Sequence, residues 1–130
     1  MPDYNLSTTP WVIMDIDFED GLLFISVQNI SDVPAYKVSV VFRESLLGVE
    51  GAKDISKLPL FKNIEFLAPH KKIRTFLDTS ASFFKHNKTA IIHAVVSYQC
   101  RDHKKFTEAI THDLEIYKQI GYIKISGQDS

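Results

Sequence analysis

The chain has 130 residues, 45% of them hydrophobic and 24% charged, and a formal net charge of −1. That suits one domain with one core, and it gives no polybasic signal for nucleic acid. With a single cysteine, Cys100, no intrachain disulfide can form, and no window approaches the ~20 apolar residues of a membrane helix.

The opening MPDYNLSTTPW has neither a basic start nor an apolar run, so no signal peptide is expected. A cytoplasmic location is the default expectation, and a soluble domain cut from an anchored parent is the alternative. Strand A is placed at residues 12–18, with Val12, Met14, Ile16 and Phe18 inward and Asp15 and Asp17 outward. A Glu19-Asp20-Gly21 turn leads into strand B, residues 22–29, where Leu23, Ile25 and Val27 share one face and Ser26 and Gln28 the other. Strand C covers residues 35–43, with Tyr36, Val38, Val40 and Phe42 on one face and Lys37, Ser39 and Arg43 opposite. A period of two marks half-buried strands, because successive Cβ atoms leave opposite faces of the pleat. Asn29, Ser31, Asp32 and Pro34 supply the turn between B and C.

Further along, strand D falls at residues 63–67 and strand E at 72–78, split by Ala68-Pro69-His70-Lys71. Strands F (89–99) and G (105–117) join through a tight turn near Arg101-Asp102-His103. A short edge strand is expected over 121–126, and the tail 126–130 is expected to fray. Two connections break the rhythm. Residues 44–62 carry Leu46, Leu47, Val49, Ile55, Leu58, Leu60 and Phe61 among glycines and Pro59. Residues 80–88 carry Phe83-Phe84, for which a helical turn is expected. Together these elements predict an all-β chain: an immunoglobulin-like antiparallel β-sandwich of about seven strands, a single domain over 1–130, with a long C–D connection and an E–F insertion.

The phrase VQNISDVPAYKVSV, the turn FLAPHKKIRTF and the pieces LPLFKNIEFLAPHKKIRTFLD, VVSYQCRDHKKFTEAITHDLEIYK and IGYI resemble small prokaryotic proteins with an immunoglobulin-like or fibronectin type III-like sandwich. The resemblance implies the fold over about residues 22–123 and carries no chemistry. His70 stands where such turns usually have glycine, which implies a different turn type. The paired cysteines and strand-C tryptophan of antibody domains are absent. Trp11 lies instead at the start of strand A, where it is expected to plug one end of the sandwich.

Constellations for chemistry are sparse. No nucleophile elbow, phosphate loop, dinucleotide fingerprint, zinc-protease helix or calcium loop occurs, and neither an enzyme nor a cofactor is expected. Asp15 and Asp17 share one outward face and form either a solvated edge face or part of a divalent-cation site. His93 and His112 face each other if the F–G turn has two residues. With three residues, His112 faces Ile92, and Phe106, Ile110 and Leu114 lie beside Tyr98, Ala94 and Ala90. A two-histidine site lacks further ligands, so no metal is expected. Cys100 has cationic neighbours but no identified base. Tyr98 is read as a core ring with its hydroxyl at the rim.

Sandwich topology gathers the B–C, D–E and F–G loops at one end. That end would be basic, collecting His70, Lys71, Lys72, Arg101, His103, Lys104 and Lys105 against Asp32 and Asp102. The other end would hold Leu60, Phe61, Phe83 and Phe84, either closing the core or forming a protein interface. The functional expectation is a non-enzymatic interaction or assembly module with a protein partner or a second copy of itself. The alternative is a ligand-binding sandwich for a carbohydrate or an anionic headgroup.

Overall fold

A computed structural model describes residues 8–118. The edge strand expected over 121–126 and the tail 126–130 lie outside the described residues. Among the described residues the chain is mostly β, with antiparallel sheets. In chain order the elements are β1 (Val12–Glu19), β2 (Leu22–Asn29), β3 (Ala35–Phe42), β4 (Leu47–Gly48), β5 (Lys53–Asp54), a 3-10 turn (Ile55–Lys57) and α1 (Pro59–Lys62). There follow β6 (Ile64–Leu67), β7 (Lys72–Thr79), α2 (Ser80–His86), β8 (Ile91–Gln99) and β9 (Lys105–Asp113). One sheet runs β1-β2-β7 and the other β6-β3-β8-β9, while β4 and β5 form a small ribbon.

The core is built from the inward set of every long strand. Met14 and Ile16 of β1, Leu23, Ile25 and Val27 of β2, Val38 and Val40 of β3, and Ile92, Ala94, Val96 and Tyr98 of β8 join one buried cluster. Tyr98 stacks on Phe106 with ring centroids 5.5 Å apart. Its hydroxyl is buried with the ring and does not reach the rim.

One alternation is broken. Lys37 has φ +51 and the β3–β8 register shifts between Tyr36 and Ser39. This bulge inserts an extra residue, so Ala35 and Val38 are both buried while Tyr36 turns outward onto Phe66. The expectation that Tyr36 shares the face of Val38 is therefore corrected. A second bulge in β7 leaves neighbours Leu77 and Asp78 both buried.

The turn Ala68-Pro69-His70-Lys71 corrects another expectation. His70 adopts φ +62, and the Lys71 N–H donates to the Ala68 carbonyl at 3.1 Å. Proline at the second position and positive φ at the third are type II features, so histidine takes the conformation that glycine would. The β9 strand is also shorter than its predicted 105–117. The Asp113 carboxylate accepts from the Glu115 N–H at 3.0 Å, which starts a helical turn over 115–118. Leu114 meanwhile drops into the core.

The side of the sandwich between β1 and β9 is closed by polar groups. The Trp11 indole donates to Glu108 at 3.0 Å, and His112 Nε2 donates to the Met14 carbonyl at 2.9 Å. The Tyr117 hydroxyl reaches the Ile16 carbonyl at 3.5 Å, and its ring stacks on Phe18. Burial first, then the charges of Asp15 and Asp17, raise the Tyr117 pKa and keep that hydroxyl a donor. Carbonyls on the outer edge of β1 thus gain donors from side chains, which blunts an edge otherwise open to strand pairing.

Candidate functional site

The long 44–62 connection is ordered by its own contacts. A Cβ on Gly48 would lie 2.2 Å from the Leu77 carbonyl oxygen, so only glycine lets β4 cross β7 here. Val49, Glu50 and Gly51 all have positive φ, and the turn is pinned by Val49 N–H to the Leu77 carbonyl and Glu50 N–H to the Asp78 carboxylate. Asn87, at the end of α2, accepts from the Leu47 N–H and donates to the Leu47 carbonyl. The two apolar connections therefore meet at one end.

Of the four candidate interface residues there, Phe61 and Phe83 are fully buried, while Leu60 and Phe84 are half-buried against the core. Phe61 packs edge-on against Phe42 at 5.0 Å and Phe83 against Phe84 at 5.4 Å. This end closes the core.

At the candidate basic end, two of the side chains have acidic neighbours. His70 Nε2 lies 2.8 Å from Asp32, and the Lys72 ammonium lies 2.6 Å from Asp17. Lys71, Arg101, His103, Lys104 and Lys105 are exposed, with the Lys104 ammonium 5.5 Å from the Phe106 ring. Cys100 is half-buried; its N–H donates to the Lys104 carbonyl, and the His103 N–H returns to the Cys100 carbonyl. That is a three-residue turn with His103 left-handed, and it sets His112 opposite Ile92, away from His93. Among the described residues no group of three or more His, Cys, Asp or Glu side chains is arranged to hold a metal. Nor is any described helix long and apolar enough to cross a membrane.

The two outer sheet faces differ in chemistry. On β1-β2-β7, Asp17 pairs with Lys72 and Arg74, and Arg74 pairs with Glu19 at 2.6 Å. The Arg74 guanidinium also sits 3.9 Å above the Phe24 ring. Its hydrogen bond to Glu19 holds Arg74 above its ordinary pKa. Asp17, read alone as a solvated edge or a cation ligand, is the centre of this charge ladder.

On β6-β3-β8-β9 the outward positions carry no such ladder. Val41 pairs with Val95, which pairs with Ala109; Ser39 pairs with Ser97, which pairs with Thr107. Val41 is 65% exposed, Phe66 56% and Val95 38%. Charges appear at the margins: Lys37 with Glu65 at 3.4 Å, Arg43 beside Glu44, and Lys105 and Asp113 at the two ends of β9. Hydrogen bonding from Asn63, then Lys37, lowers the Glu65 pKa and keeps that margin ionised.

This face was missed in the sequence, although a signal exists. Val40-Val41 and Val95-Val96 are valine pairs in alternating strands, so one of each must point outward, and the register brings the two outward ones together.

The family model described as a domain of unknown function (DUF8453) matches residues 3–118. The chain belongs to that family. No curated protein and no solved structure matches it. All nine strands of the described residues fall within the DUF8453 span, so the family domain includes both sheets and the uncharged face.

Proposed function

We propose that the chain is a non-enzymatic assembly module on an immunoglobulin-like sandwich, pairing with a second copy of itself through the outer face of β6-β3-β8-β9. The strand orders support the fold reading: β1, β2 and β7 occupy the places of strands A, B and E, and β3, β8 and β9 those of C, F and G. The fourth strand, β6, joins the C edge and not the E edge, as in sandwiches related to fibronectin type III.

The observation that carries the functional reading is the contrast between the two outer faces. On one, a charge ladder runs beside and over a Phe24–Phe76 pair. The other exposes valine, alanine, serine and threonine across three strands, with a Tyr36–Phe66 pair at one side. An isologous contact requires a self-complementary patch. Here the margin carries both cations (Lys37, Arg43, Lys57, Lys62, Lys105) and anions (Glu65, Glu44, Asp113), so a copy can set opposite charges against each other. Strands ~4.8 Å apart and nine residues long give a face of roughly 450 Å2 in plan. Two such faces fall at the low end of specific interfaces, so the dimer is weak and concentration-dependent.

The carbohydrate alternative would draw on Tyr36 and Phe66, but their rings cross at 67° and offer no coplanar stacking platform. The headgroup alternative loses Lys72 to Asp17 and retains Lys71, Arg101, Lys104 and Lys105.

Sedimentation velocity from micromolar to near-millimolar concentration tests the proposal. The wild type should shift toward dimer with concentration. Val41→Lys and Val95→Lys should stay monomeric with little change in melting temperature, and Arg74→Ala on the other face should dimerise normally. A wild type that is monomeric throughout, or a dimer indifferent to both valine variants, overturns it.

A further inference from the structure

A cavity of about 410 Å3 opens between the start of the 44–62 connection, the C-terminal end of α2 and the first residues of β8. Its size lies within the range of small-molecule sites. Leu46, Leu47, Ile91 and Ile92 give it apolar walls. Its polar lining includes Glu44, His86, Asn87, Lys88 and His93. His86 Nδ1 lies 2.9 Å from the Ser82 carbonyl, which can only accept, so the ring proton sits on Nδ1. His93 Nδ1 makes a long 3.4 Å bond to Glu44 Oε1, and the carboxylate likewise only accepts.

Glu44 itself has no lysine or arginine partner among the described residues, although it stands at the edge of this apolar space. Asn87, also in the lining, is spent on Leu47 and Phe83. The lining's one lysine, Lys88, is exposed at the rim.

We infer that this cavity binds a small amphipathic cation, an ammonium group carried on an apolar body. The ammonium pairs with Glu44 at the cavity edge, and the body fills the space between Leu46, Leu47 and Ile92. An anion would meet the Glu44 carboxylate at the cavity edge, and a purely apolar ligand would make no use of it.

The test is a 15N-edited NMR titration of the full chain with benzylammonium, using benzoate and benzyl alcohol as size-matched controls. It is run in the Val41→Lys background so that self-association does not enter. Saturable shifts should appear at Glu44, Leu46, Leu47, Asn87, Ile92 and His93, with benzylammonium tightest. Glu44→Gln should weaken benzylammonium about tenfold, because one charge-assisted bond is lost, and leave benzyl alcohol unchanged. Benzoate binding as tightly as benzylammonium, shifts that do not saturate or fall elsewhere, or an indifferent Glu44→Gln each overturn the inference.

Discussion

Asn29→Ala isolates the most tightly specified polar position in the fold. Asn29 and Ser31 are fully buried. The Asn29 amide makes all four hydrogen bonds open to it. Its Nδ2 donates to the Val33 carbonyl at 2.8 Å and to the Leu67 carbonyl at 3.1 Å, and its Oδ1 accepts from the Ser31 N–H at 3.0 Å and from the Ser31 hydroxyl at 2.6 Å. One side chain thus shapes the β2–β3 turn and ties it to β6 across the sandwich. Truncation leaves the Leu67 carbonyl and the Ser31 N–H buried without these partners, while the Ser31 hydroxyl still reaches Val33 at 2.9 Å. Two orphaned groups at roughly 1–3 kcal/mol each give an expected loss of about 3 kcal/mol. For a domain of this size that lowers the melting temperature by about 10 °C. Ser31→Ala loses one hydroxyl with partners on both sides and should cost about 1 kcal/mol. Urea and thermal melts followed by circular dichroism read both variants. A loss under ~1 kcal/mol for Asn29→Ala, or equal losses for the two, would refute the network as the source of stability.

Val38→Asp places an unpaired charge at a fully buried position and should abolish the cooperative melt; a soluble variant with an unchanged melting temperature would show the face assignment to be wrong. Phe61→Ser and Phe83→Ser should each cost about 3–5 kcal/mol with no gain or loss of association specific to that end, whereas half-buried Phe84→Ser should cost less. Asp54 gives an acid-sensitive contribution. Burial raises its pKa, but hydrogen bonds from the Ser56 hydroxyl, the Leu46 N–H, the Ser45 hydroxyl and the Ser56 N–H lower it further, so the net shift is downward. A depressed carboxyl stabilises the fold above its unfolded pKa and loses that contribution as pH falls through the folded value. The wild type should therefore lose more stability than Asp54→Asn as pH drops below about 4, and parallel pH–stability curves for the two would contradict this.

Alternation made the strands legible. Residues 22–29 carry their turn residues at both ends, and β2 occupies that span. The F–G register was one of two options, and the Cys100–Lys104 closure selects it. What stayed illegible depends on backbone conformations that residue type does not announce. Lys37 and His70 adopt positive φ without being glycine, so the outward turn of Tyr36 and the type II turn had no local sign. Asp17 finds Lys72 and Arg74 two strands away across β2, a contact that only the sheet order reveals. The apolar connections were visible as apolar; which of their residues are buried depended on how α1 and α2 pack on the sheets.

Concentration-dependent backbone amide shifts test the central claim most directly, because they locate any contact as well as detect it. On raising the concentration of the wild-type chain, shifts should cluster at Ser39, Val41, Val95, Ser97, Thr107 and Ala109 and vanish in Val41→Lys. Shifts confined to β1, β2 and β7, or none at any concentration, would contradict assembly through the uncharged face.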